Sequence, residues 1–285
     1  MDQRAVLDRV VAWACQDDNT RVVVLTGSVA RGEGGFDELS DLDVELYVTD
    51  PSVLLETDAW YHQFGEVLVV EALENPGWHP TRLVYYFDGK IDFMVAPTVV
   101  LADGVTFDRP FRVVIDKDNL HSAFRMSPRE QRQPPSITEF EQCVHWFYAA
   151  ALMWAKYLVR DEPWAAKMRD WDTKSQLLTM LEWDHKARKG WDYDTWYNGT
   201  HLREWMDDDL VNAVEACWSG LSTLDSIRAL RESLSLFDMV STRTSIALEI
   251  EPFDATRIRQ WVEQLLETGR GGRRPVGDAA RENTR

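Results

Sequence analysis

The sequence predicts an α+β protein in two parts: a mixed sheet with flanking helices over residues 1–134, then an all-α helical bundle over 135–268, with a flexible basic tail over 269–285. Three observations carry that expectation. Short β-branched or alternating runs are confined to the first half, the pattern of strands. Pro134-Pro135 then interrupts the chain, removing two backbone donors and disfavouring a helix through that point. Beyond it, apolar residues return every three or four positions, the period of a helix face.

In chain order, Val6, Val10, Val11 and Trp13 are spaced for an opening helix over 5–15. Arg21 to Leu25 (RVVVL) forms a buried strand that ends in a tight turn at Thr26-Gly27-Ser28, followed by a Gly-rich loop. Over 41–49, Leu42, Val44, Leu46 and Val48 alternate with Asp41, Asp43, Glu45 and Tyr47, so a half-buried strand is expected with its carboxylates on one face. Asp50-Pro51 ends it, and a helix containing Trp60 is expected next. TRLVYYF and KIDFMVA flank Asp88-Gly89, a dipeptide suited to a hairpin turn. Ser136-Ile137-Thr138-Glu139 has the form of a capping box, and Phe140, Val144, Phe147, Ala151, Trp154 and Leu158 form the apolar stripe of the long helix it opens. Trp-rich helical segments continue to 268, with breaks near Gly190 and Gly199. The spacing of Trp146, Trp154, Trp164, Trp171, Trp183, Trp191, Trp196 and Trp205 predicts that most of them are core.

Composition narrows the function. A chain that is 45% hydrophobic, with 13 Trp, is neither disordered nor fibrous. The formal charge of −17 argues against a nucleic-acid partner, whose grooves need clustered Lys and Arg, and favours a cationic small molecule. Cys15, Cys143 and Cys217 are odd in number and far apart, which fits a reduced, cytoplasmic setting without disulfides. The charged N-terminal stretch has no signal-peptide core and no run reaches membrane-spanning length, so no membrane partner is expected. Oligomeric state is left open.

The chemistry lies in one constellation: a strand, then Gly27-Ser28, then Asp41-x-Asp43 on a second strand, then Asp92 on a third. Residues two apart on a strand point to the same side, so Asp41 and Asp43 can converge on one ion or bridge two. Oxygen-only ligation suits Mg²⁺, and two such ions are the standard device for displacement at phosphorus. Gly27 lets backbone N–H groups approach a phosphate, and the Ser28 hydroxyl can hydrogen-bond it. A lone Asp-x-Asp is ordinarily a solvated strand face; its order with Gly-Ser and a further strand Asp is what points to chemistry.

TGSVARGEGGFDELSDLDVELYV, with twelve residues between Ser28 and Asp41, resembles the signature of the polymerase-β-type nucleotidyltransferases. LTGSVARG, SDLDVELYVTD, WYHQFGEVL, GKIDFMVAP, the helix from Cys143 to Leu158 and LLTMLEWDHKARKG are similar to the aminoglycoside 6-adenylyltransferases, the streptomycin-modifying group. The resemblance implies a polymerase-β-like N-terminal sheet, AMP transfer from ATP to a streptomycin hydroxyl, and Mg²⁺ held by Asp41, Asp43 and Asp92. It further implies triphosphate contacts from Gly27 and Ser28, joined by Arg31 in the Gly-rich loop and by Lys156, which matches a family Lys. Two positions depart from the group: Val144-His145-Trp146-Phe147 stands in place of Asn-Glu-Phe-Trp, and Thr200 in place of a Lys.

On the Ser136 helix, Glu141, His145, Ala149 and Lys156 share a face offset from the apolar stripe. His145, replacing an acidic residue, is a candidate catalytic base together with Asp92, because imidazole titrates near neutrality. Glu45 is a weaker candidate, expected to be solvated. Asp192, Asp194, Asp207 and Asp208 are candidates to receive cationic groups of an acceptor or are plain solvated positions. Two alternatives stay open: the same fold acting on another small-molecule or protein acceptor, and a non-catalytic nucleotide-binding module.

Overall fold

The computed structural model describes residues 3–30, 39–87, 89–127 and 133–271. Arg31, Asp88 and residues 272–285 of the expected tail lie outside them. The chain divides into two compact units, residues 1–130 and 131–285.

The first unit contains α1 (Gln3–Gln16), β1 (Thr20–Thr26), the one-turn α2 (Gly27–Ala30), β2 (Leu42–Val48) and the one-turn α3 (Ser52–Leu55). β3 (Val67–Leu73), β4 (Thr81–Tyr86), β5 (Gly89–Pro97), β6 (Val105–Phe107), β7 (Arg112–Asp116) and β8 (Phe124–Met126) follow. Six strands form a mixed sheet in the order β3-β4-β5-β2-β1-β7, with β2 and β5 parallel and every other pair antiparallel. β6 and β8 form a separate parallel pair.

Both faces of the central strands are covered. Val23, Leu25, Leu42, Val44, Leu46 and Phe93 pack against Val6, Val10 and Ala14 of α1 and against Trp60 and Phe64. On the other face Val22, Val24, Tyr47, Met94 and Ala96 pack with Leu101 and Phe124. Double coverage is why β1 reads as an unbroken apolar run, whereas β2 alternates where its second face opens.

Several elements differ from expectation. Trp60 is not in an α-helix; it immediately precedes a 3₁₀ turn, Tyr61–Phe64. Its ring meets Trp13 at 5.4 Å and Phe93 at 4.8 Å, and its Nε1 donates to Leu54 O at 2.9 Å. Placing one indole in the core needs only a tight turn, not a helix. Gly27 and Ser28 open the helical turn α2 rather than a simple reversal. β3, β6, β7 and β8 were not anticipated. β3 is a largely exposed edge strand with no alternating burial, and β6 and β8 have three residues each, too few for periodicity to register.

The second unit comprises α4 (Ile137–Val159), α5 (Pro163–Lys189), the one-turn α6 (Leu202–Trp205), α7 (Asp208–Ala216), α8 (Thr223–Ala247) and α9 (Thr256–Gly271). The capping box forms: Ser136 Oγ accepts from the Glu139 backbone N–H at 3.2 Å, and Glu139 Oε2 accepts from the Ser136 N–H at 2.8 Å. All six stripe residues of α4 are buried, and Phe147 stacks on Phe237 of α8 with ring centroids 3.6 Å apart. α5 starts with a Pro in its first turn and stops at Gly190, whose φ of 112° suits glycine.

The tryptophans are mostly not core. Of the eight named, Trp154 and Trp205 are buried, Trp183 and Trp191 are half-buried with Trp183 packed against the core, and Trp146, Trp164, Trp171 and Trp196 are exposed. On α5 the buried face belongs to Ala166, Thr173, Leu177 and Met180, a second stripe with helical spacing that leaves Trp164 and Trp171 outside. α9 also continues to Gly271, so the first three residues of the expected tail are helical. Extending a helix already formed needs only one residue fixed per added bond, so the glycines do not stop it at 269. Among the described residues no helix is long and apolar enough to cross a membrane.

Ser136→Ala removes the cap that accepts from Glu139, and is expected to lower unfolding free energy by about 1 kcal/mol in urea titration. An unchanged midpoint would show that the box contributes nothing.

Candidate active site

Strand register builds the site. Thr26 of β1 pairs with Asp43 of β2, and Asp43 pairs with Asp92 of the parallel neighbour β5. One step beyond the Leu42–Ile91 pair, Asp41 stands alongside Lys90. Since side chains alternate, these four residues form a square on one sheet face: Asp41 and Lys90 at one edge, Asp43 and Asp92 at the other. Lys90 Nζ donates to Asp41 Oδ2 at 2.9 Å and to Asp92 Oδ2 at 2.9 Å, and lies over the Tyr85 ring, 5.4 Å from its centroid. Nζ is also 2.9 Å from Asp92 Oδ1 but not aligned to donate to it, so that oxygen is buried without a hydrogen bond.

Gly27 closes the square from β1. Its φ is +64°, and a Cβ there would stand 1.8 Å from Asp43 Oδ2. Only glycine lets the carboxylate lie against the start of α2.

The electrostatics follow from burial. Burial raises the Asp92 carboxyl above its usual range, with Lys90 opposing and Asp41 adding to the shift. Burial also works against the Lys90 ammonium, but its hydrogen bonds to Asp41 and Asp92 outweigh that and hold it well above its ordinary value. Glu45, two residues beyond Asp43, is not the solvated side chain expected. It is half-buried and accepts a hydrogen bond from Tyr47 Oη at 2.7 Å. Burial, opposed by that bond and reinforced by Asp43, pushes it up to about 7. Gly27, Ser28, Asp41, Asp43 and Glu45 all border one cavity of 1040 Å³, whose other walls include Trp78 and the segment from Asp103 to Arg109. That volume suits a small organic ligand.

The first unit therefore brings together Gly27, Ser28, Asp41, Asp43 and Asp92. Arg31 lies outside the described residues. His145 and Lys156 belong to α4 of the second unit. His145 is exposed, with its ring edge-on to Phe253 at 5.6 Å. Lys156 Nζ is 5.0 Å above the Trp261 ring of α9. Asp207 is paired with Arg188 at 2.6 Å, and Asp194 accepts from the Trp196 N–H at 3.0 Å, so both have local structural work. Lys90 and Tyr47 were missed as members of the site. The signal was present: Lys90 is two residues before Asp92, and Tyr47 two after Glu45, each on the same strand face as its neighbour.

Among the described residues no three His, Cys, Asp or Glu side chains are grouped to hold a metal ion as they stand. The cation beside Asp41 and Asp92 is Lys90. The donor set still suits a hard divalent ion, being three carboxylates without sulfur or imidazole and including a buried Asp92 oxygen that lacks a hydrogen bond.

A family model described as streptomycin adenylyltransferase matches residues 1–265. An aminoglycoside 6-adenylyltransferase of Campylobacter jejuni is 23% identical over 260 residues, covering 87% of this chain and 90% of that protein. One from Bacillus subtilis is 25% identical over 243 residues (78% and 85%), and one from Staphylococcus aureus 23% identical over 261 (85% and 90%).

Gly27→Ala is expected to cost about 1–3 kcal/mol of stability from its left-handed backbone and the clash with Asp43. In an Asp43→Ala background the cost should shrink, because the clash is gone. Equal costs in both backgrounds, measured by denaturant unfolding, would contradict the contact.

Proposed function

Because this chain belongs to the streptomycin adenylyltransferase family of nucleotidyltransferases, we propose that it transfers AMP from Mg-ATP to a hydroxyl of a streptomycin-like aminoglycoside. The observation that carries the proposal is the cluster of Asp41, Asp43 and Asp92 beside the Gly27-Ser28 turn, with Asp41 and Asp43 bordering the same cavity of the first unit as Gly27 and Ser28. The names of the relatives support an aminoglycoside acceptor. The net charge of −17 also favours encounter with a polycation, since an acidic surface raises the local concentration of positive ligands.

The chain's own groups have defined parts in this scheme. The Ser28 hydroxyl and the backbone around Gly27 hold the triphosphate, as N–H groups at a helix start hold anions. Asp41, Asp43 and Asp92 would hold Mg²⁺, which would supply charge neutralisation for the triphosphate and for pyrophosphate as it departs. The acceptor oxygen attacks the α-phosphorus in line; its proton passes to Asp92, whose Oδ1 has no hydrogen bond to give up. Pyrophosphate leaves, and AMP remains on the acceptor. His145 and Lys156, on α4 of the second unit, stay the sequence's candidates for an alternative base and a phosphate contact. A chain that acts in this way needs no nucleic acid or membrane, and is placed in the cytoplasm with its nucleotide.

Purified protein incubated with α-labelled ATP, Mg²⁺ and an aminoglycoside panel is expected to label streptomycin-type acceptors and to stop on chelation. Asp43→Asn should lower turnover by about a hundredfold or more with the fold intact. Labelling of the protein itself, or of no acceptor with no pyrophosphate release, would overturn the proposal. Between the two candidate bases, a loss in His145→Ala confined to kcat would move the proton to His145.

A further inference from the structure

The one basic corner of the square is the feature that nucleotidyl transfer does not by itself explain. Lys90 is not a surface lysine that happens to reach a carboxylate. Its side chain is only 16% exposed, it lies on the same β5 face as Asp92, and register sets it beside Asp41. Its Nζ is 2.9 Å from Asp41 Oδ2 and from both oxygens of Asp92, the span in which an ion shared by these acids would have to sit. The ammonium and a divalent ion therefore compete for the same oxygens.

Resting on the assignment of Asp41, Asp43 and Asp92 to metal, we propose that Lys90 is a built-in counter-ion that makes divalent-ion binding conditional on nucleotide. In the free protein the ammonium compensates Asp41 and Asp92. An ion arriving alone must expel it and leave it without an anion, with two positive centres crowded together. An ion arriving with a triphosphate brings phosphate oxygens with which the expelled ammonium can pair. Ion and nucleotide thus favour each other's binding, and by linkage the coupling is the same read from either side. The device keeps Asp41 and Asp92 together in the absence of metal and prevents the site from filling with an ion that would block productive nucleotide entry.

The test is Mn²⁺ uptake by the full chain, followed by electron paramagnetic resonance, with and without an α,β-methylene ATP analogue. Lys90→Met is expected to bind Mn²⁺ without nucleotide about tenfold or more tightly than the unsubstituted chain. Lys90→Arg, which keeps a cation at the corner, should stay close to it. A merely structural lysine predicts the reverse, weaker uptake in Lys90→Met because the site is damaged. Thermal denaturation gives a second readout: Mn²⁺ alone should raise the melting temperature of Lys90→Met or Lys90→Gln, and barely move the unsubstituted chain. Equal nucleotide-free affinity in all variants, with uptake in the presence of analogue still abolished by Asp43→Asn, would overturn the role of Lys90 alone. Absence of any uptake sensitive to Asp43→Asn in the unsubstituted chain would overturn the metal assignment and the role of Lys90 with it.

Discussion

Three carboxylates at one end of a sheet repel, and everything about this site is arranged around that repulsion. Two like unit charges about 4 Å apart repel by roughly 4 kcal/mol at an effective dielectric near 20. That is a large share of a domain's net stability. Asp41, Asp43 and Asp92 are brought to neighbouring positions by parallel pairing of β2 and β5, and the same register sets Lys90 among them. A protein that only needed to be stable would replace such a square with apolar pairs. Keeping it, beside a glycine whose side chain would collide with Asp43, is what the proposed role in holding a triphosphate and its cation would account for.

The rest of the first unit serves to hold that edge still. Two apolar layers grip the central strands: α1 with Trp60 and Phe64 on one face, Leu101 and Phe124 on the other. The second layer stops short of the carboxylates, so β2 passes from a buried Tyr47 to a half-buried Glu45 and Asp43 within five residues. Tyr47 joins the two regions, its ring packed edge-on to Phe124 at 5.2 Å and its hydroxyl bonded to Glu45. Rigid core and polar site thus share one strand, which is how a sheet fixes functional groups more tightly than a loop does.

Most of the fold was legible because its signals are local and periodic. The alternation of Leu42, Val44 and Leu46 with the acids, the capping box at Ser136 and the stripe from Phe140 to Leu158 each specify an element without reference to the rest of the chain. What escaped depends on distant contacts. Edge strand β3 has little burial to pattern it, and β6 and β8 are three-residue pieces defined only by pairing with each other. The Trp residues were misplaced because helical spacing does not say which of two apolar stripes on α5 faces inward. The acids of the site were visible as a motif, whereas Lys90 was not, because its meaning lies in a cross-strand register that only pairing of β2 with β5 supplies.

Crystals of the chain grown with Mn²⁺ and a non-hydrolysable ATP analogue test the central claim most directly, through anomalous scattering from the metal. The account predicts a manganese peak within bonding distance of Asp41, Asp43 and Asp92, triphosphate lying along Gly27 and Ser28, and the Lys90 ammonium withdrawn from the acids. A nucleotide bound elsewhere, or a Lys90 still seated between Asp41 and Asp92 with no metal beside them, would contradict it.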